Sequence, residues 1–268
     1  MKTIKEGRLG KHTLRIVETK QGLQGIAFLD AKNRSAILSG DDVDELWEQL
    51  VLETGKQSTE YFGYKGAINR FHEIFPGGFA DPRYHSKERD YKLSAITKLN
   101  SAAPLEKALV GDVDPKAVLK ASNTNLLFRS ENITFRDVLL SPKGSEFITA
   151  AAKMAEGDIA AGLSEMTAIA KNIDKKSWPL VTYLPFLWKP DQHMFLKPMV
   201  ARGFAERVGH RFAHDYSSDI SADVYDGLID LTNETKAEIS TLNPADNVDV
   251  QSFIWAVAKY TDSDIAED

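Results

Sequence analysis

The chain is predicted to be an α+β protein, with a small N-terminal antiparallel sheet plus helix followed by a mostly helical body. Three observations carry this. Short β-branched runs broken by turn residues cluster before Leu38. Beyond Ser39 apolar residues recur at helical spacing. Strand and helix signals do not alternate over any long stretch, which argues against a doubly wound parallel sheet.

His12–Glu18 is β-branched and partly alternating, Gln21-Gly22 supplies a turn, and Gly25–Leu29 and Ser35–Leu38 flank a second turn at Ala31–Arg34. Two or three antiparallel strands follow from this. Ser39-Gly40-Asp41-Asp42 opens a helix carrying Val43, Leu46, Trp47, Leu50 and Val51, with acidic residues in the first turn where the dipole favours them. Ser58 is placed to cap a helix with Tyr64, Ile68, Phe71 and Phe75 on one face, which Pro76-Gly77-Gly78 stops. Asp81-Pro82 pairs a cap with a first-turn proline and starts a helix to about Asn100. Short helices are expected from Leu105 and Pro115, and longer ones from Ser141-Pro142 to Gly157, after Asp158, after Ser221, and from Asp249 to about Tyr260. Trp178–Pro198 holds four prolines among aromatics and is expected to be a rigid, irregular packing element. The expected division is 1–57, a strand and helix unit, and 58–268, the helical body with its irregular segment at 178–198.

Composition narrows the function. Of 268 residues, 43% are apolar and 27% charged, an ordinary globular balance with material for a sizeable core. Cysteine is absent, which removes disulfides, thiolate metal sites and cysteine nucleophiles together. No apolar core of a secretion signal opens the chain and no run is long enough to span a bilayer, so a cytoplasmic protein without a membrane partner is expected. A net charge of −6 argues against polyanion binding by the whole surface.

The charge is uneven, however. Between Lys175 and His214 seven basic residues stand against two acidic ones. Within this window Lys189, Lys197, Arg202, Arg207 and Arg211 are the candidate nucleic-acid contacts, interleaved with aromatics. Arg89 and Lys92 join them from Asp81–Lys92, where His85, Arg89 and Lys92 share a helical face beside tyrosines. The competing reading is a solvated charged surface, with Glu88 and Lys92 an ordinary i,i+4 pair.

His210 and His214 have the spacing of a helical metal pair, but Arg211 stands where the metalloprotease motif needs its glutamate base. Gly209 reads as a residue just past a helix end, and in an extended segment the two histidines would be ~13 Å apart. Lys143-Gly144-Ser145 lacks a phosphate-loop glycine frame, and Glu18-Thr19-Lys20 lacks the further acid of a nuclease site. No metal and no cofactor are expected.

Trp178–Pro198 and Asp246–Trp255 together resemble an uncharacterised family of bacterial proteins over roughly the last ninety residues. The resemblance implies that the two motifs belong to one module and carries over no catalytic residues. The first functional reading is a binding or accessory protein that meets nucleic acid, or a nucleic-acid enzyme, through the basic segment. Two alternatives stay open. One is a hydrolase-like enzyme drawing on His85, Glu88, His193, His210, His214 and Asp215. The other is a non-catalytic subunit with a protein partner.

Overall fold

In the computed structural model, residues 2–9, 12–28, 34–56, 63–171, 175–261 and 264 are described. Four strands, β1 (Lys2–Leu9), β2 (His12–Thr19), β3 (Gly22–Phe28) and β4 (Arg34–Gly40), form one antiparallel meander in the order β1-β2-β3-β4. The expected α+β class is thus observed, with β1 added to the strands legible in the sequence. Gly22 takes φ +108° directly after the turn at Lys20 and Gln21, a conformation that L side chains resist. On β2, His12, Leu14 and Ile16 point inward at period two. Leu14 and Ala27 pack with Leu50 of α1 (Val43–Lys56), flanked by Leu38, Trp47 and Val51. The Asp42 carboxylate caps α1 by accepting from the backbone N–H groups of Asp44 and Glu45.

The chain divides into two compact units. One comprises Met1–Arg70 with Arg207–Gly209, the other Phe71–Glu206 with His210–Asp268. The division falls within α2 (Gly63–Ile74). The turn expected around residues 31–33 and the Ser58 cap lie outside the described residues.

The larger unit is helical. Asp81 caps α3 (Pro82–Tyr84), accepting from the Arg83 N–H at 2.9 Å. A π-helical turn, His85–Arg89, leads without a break into α4 (Asp90–Ala102). The helices that follow are α5 (Leu105–Leu109), α6 (Pro115–Ala121), α7 (Arg129–Leu139), α8 (Gly144–Ala155) and α9 (Ile159–Lys171). Gly144 sits where an added Cβ would lie 1.9 Å from the Leu139 carbonyl oxygen, so no larger residue fits between α7 and α8. Phe128 rather than Ser, Thr, Asp or Asn stands at the cap position of helix α7, which hid it from sequence reading. The Glu131 side chain instead reaches back to the Phe128 N–H at 2.7 Å, one half of a capping box.

The expected irregular element at 178–198 is corrected in its first half. Trp178–Trp188 is a helix, α10, buried on every side and packed against α4, α7, α8 and α9. Pro179 stands in the first turn, where its missing N–H has no helical partner to lose, while Pro185 is accommodated inside the helix. A helix apolar all round shows no amphipathic stripe, so periodicity could not reveal it. The stretch from Lys189 to Lys197 is irregular, and α10 anchors it: Thr182 Oγ1 accepts from the Leu196 N–H at 3.0 Å. Helices α11 (Pro198–Val208), whose last two residues belong to the smaller unit, α12 (Phe212–Asp215), α13 (Ala222–Glu238) and α14 (Asn247–Lys259) complete the chain's helices. No described helix is long and apolar enough to cross a membrane.

His193, in the irregular stretch, is buried with both ring nitrogens engaged. Nδ1 lies 3.0 Å from the Tyr225 hydroxyl and Nε2 lies 3.1 Å from the Ala155 carbonyl oxygen. The Ala155 carbonyl can only accept, so the neutral ring donates from Nε2 and Nδ1 accepts the proton of the Tyr225 hydroxyl, whose oxygen also accepts from the Met194 N–H. Burial holds the His193 pKa below the ordinary imidazole value; the Lys189 cation adds to this and the Ala155 carbonyl opposes it. The unfolded chain therefore binds this proton more readily than the folded one. Stability is expected to fall as pH drops below about 6.5 toward the depressed native pKa, by at most about 1.4 kcal/mol per unit. Melting curves from pH 7.5 to 5.5 check this. His193→Gln should lose less stability than the wild type over that range, and parallel losses would refute it.

Candidate functional site

The polar centre of the larger unit lies where the π-helical turn meets α14. Such turns insert one extra residue per turn and recur at functional sites. Here the turn places Glu88 and Arg89 toward α14, and Lys92 follows one turn later. Along α14, Asp246, Asp249 and Ser252 recur every third residue and so share a face.

Arg89 grips Asp246 with both terminal nitrogens, at 2.8 and 3.0 Å, and also bonds Asp249. Asp246 caps α14 at the same time, accepting from the Val248 and Asp249 N–H groups. Asp249 accepts from the Tyr84 hydroxyl and from the Ala245 N–H. Burial alone would lower the Arg89 pKa, but the bond to Asp246 and the charge of Asp249 outweigh it and raise it. Burial and the Asp249 charge both push the Tyr84 hydroxyl up, so Tyr84 stays a donor.

Beside this lies a second network. The fully buried Lys92 ammonium donates to Glu88 at 2.9 Å and to Ser252 at 2.7 Å, and the Tyr260 hydroxyl donates to the other Glu88 oxygen. Burial pulls the Lys92 pKa down, and Glu88 opposes that pull.

Glu88 also lines a cavity of about 210 Å³. Tyr91 of α4 and Trp255 of α14 line it, as does Phe195 from the irregular stretch. Lys197 reaches the same cavity with its ammonium bonded to Glu131 and 3.6 Å from the Phe128 ring centre. Burial lowers the Lys197 pKa against the pull of Glu131. Gln251 lines the cavity too. It is 5% exposed, and its Oε1 is buried without a hydrogen-bond partner. The segments Trp178–Pro198 and Asp246–Trp255 thus meet here, Phe195 and Lys197 from one, Gln251 and Trp255 from the other. Past Arg89 and Asp249 opens a wider cleft of about 590 Å³, bordered by His72, His85 and Asn243.

The expected nucleic-acid contacts are placed differently from a presented basic surface. Lys92 and Lys197 are buried and Arg89 is half-buried in ion pairs, because each lies on a helix face or segment turned toward the core. Lys189 pairs with Glu156 at 2.8 Å, and Arg211 with Asp230 at 3.0 Å beside a cleft that also holds Asp215, Asp223 and Asp226. Arg202 is exposed over the Tyr216 ring, and Arg207 belongs to the smaller compact unit.

The enzyme reading's residues do not gather. His85 borders the wide cleft, Glu88 the small cavity and Asp215 the acidic cleft, while His193 is sealed in the core. His210 is buried, its Nδ1 accepting from the Phe212 N–H and its Nε2 lying 3.5 Å from Asp230. Gly209 does end a helix, at φ +78°, but the segment after it is helical over Phe212–Asp215 rather than extended. Among the described residues no three His, Asp or Glu side chains are set to hold a metal.

Sequence reading missed Gln251. A glutamine on a helix gives no signal until its neighbours show that nothing bonds it. No family model, curated protein or solved structure matches this chain.

Proposed function

We propose that the protein is a binding protein whose ligand occupies the cavity between α4 and α14. The observation that carries this is Gln251. A buried polar group without a partner costs about 1–3 kcal/mol, which a ligand's own donors and acceptors would remove on binding. A position serving packing alone would be better filled by Leu or Met. The surroundings support the reading: ring surfaces for an apolar body, and Glu88, Lys197 and Gln251 as a small set of polar groups that fix orientation. The ion pairs at Lys189, Lys197 and Arg211 leave fewer charges for a polyanion, so the ligand is sought in the cavity rather than along the basic segment.

The test is Gln251→Leu. Without ligand, this variant should melt higher than the wild type by about 2–12 °C, at roughly 2–4 °C per kcal/mol for a domain of this size. In a thermal-shift screen of small polar and aromatic compounds, those that stabilise the wild type should lose their effect on the variant. A lower melting temperature for Gln251→Leu, or a screen in which no compound shifts the wild type, would sink the reading.

A further inference from the structure

We infer that the cavity takes a nucleobase, a flat heterocycle whose edge sets a hydrogen-bond donor beside an acceptor. This deepens the binding reading above and rests on it. The primary amide of Gln251 offers an acceptor and donors side by side, and rotation about its last torsion exchanges them. That pattern is complementary to the paired edge of a base, as when a glutamine bonds adenine in two places. Tyr91, Phe195 and Trp255 line the same space, and base stacking on aromatic side chains is the common mode by which proteins hold unpaired bases. Glu88 accepts one proton donor at each oxygen and keeps lone pairs for an exocyclic amine.

Other occupants fit less well. An aliphatic ligand would leave Gln251 unbonded as before. A carboxylate would meet the charge of Glu88, and inorganic phosphate would make no use of the rings. At about 210 Å³ the cavity falls below the roughly 300–1,000 Å³ of drug-sized pockets, as suits a single base rather than a whole dinucleotide. Lys87 lines the cavity as well, a cation for a ligand that carries a sugar phosphate. A free nucleoside and a base unstacked from a single strand offer the same chemistry, and the experiment separates them.

The full chain is titrated calorimetrically with adenosine, guanosine, cytidine and uridine, and with short single-stranded homopolymers of each base. At least one base is expected to bind with a Kd below roughly 1 mM. Gln251→Leu should weaken that binding about tenfold or more, since one two-point contact to a base edge is lost. Gln251→Glu, which only accepts, should shift preference toward bases with an exocyclic amine. A homopolymer binding more tightly than its nucleoside, with a salt-dependent constant, would identify a nucleic-acid strand as the source. Equal affinities would identify the free nucleoside. Binding untouched by Gln251→Leu would overturn the inference. So would no base binding while some other compound from the thermal-shift screen occupies the cavity, and in that case the broader binding reading survives. If no compound of any kind binds, both fail.

Discussion

Lys92→Met is expected to destabilise the larger unit by about 3–5 kcal/mol, the usual consequence of stripping one partner from a buried ion pair. Methionine fills nearly the volume of the lysine stem, so the loss reads out charge rather than space. In the wild type the ammonium is fully buried and bonds Glu88 and Ser252. Without it the Glu88 carboxylate keeps only the Tyr260 hydroxyl, and its charge remains buried at the cavity edge. The double variant Glu88→Gln with Lys92→Met removes both charges and should recover a good part of the loss, because a neutral pair of similar shape carries no unpaired charge. Urea unfolding followed by tryptophan fluorescence checks this, through the midpoint at unchanged slope. A loss below about 1 kcal/mol for the single variant, or no recovery in the double, would show that the pair is not buried as described.

The second large effect is expected from Phe253→Ala, at about 3–5 kcal/mol. Phe253 is fully buried on α14, with its ring centre 5.1 Å from that of Phe71 and 6.1 Å from that of Phe204. Truncation removes these ring contacts and leaves a cavity that rigid helices close only in part. Phe253→Leu keeps most of the volume and should cost well under half as much. The same unfolding experiment distinguishes the two. Equal losses would mean that the aromatic geometry, not the filled volume, supplies the stability.

Together the two variants separate the roles of α14. One face closes the hydrophobic core through Phe253, and another carries the polar residues that meet the π-helical turn. The helix start belongs to the second role, since Asp246 both caps α14 and receives Arg89. A loss at either face would therefore also be felt at the cavity that Gln251 and Trp255 line.

Much of the architecture was legible in the sequence because it depends on local physics. The hairpin at Gln21-Gly22, the Asp42 start of α1, the Asp81-Pro82 start of α3 and the Ser221 start of α13 each follow from a residue's own conformational preference or its reach to a nearby N–H. What local physics does not encode was missed. Helix α7 starts without a standard cap residue. Helix α10 is apolar on every face, and its prolines read as irregular structure until neighbouring helices enclose it. The basic residues told the same lesson about function. Arg89 and Lys197 are cations in sequence, but their value to a ligand depends on Asp246 and Glu131, which stand 157 and 66 residues away, whereas the Glu88–Lys92 pair is local and was legible as an i,i+4 pair.

The sequence by itself thus determined the α+β class, the strand-first order and the helix caps, because turns, caps and periodicity act over a few residues. Only the tertiary structure decided which distant charges neutralise one another, and that the Gln251 Oε1 atom has no hydrogen-bond partner at the edge of a cavity. Burial and hydrogen-bond satisfaction depend on what the fold brings alongside a residue, and no reading of neighbours in sequence supplies that.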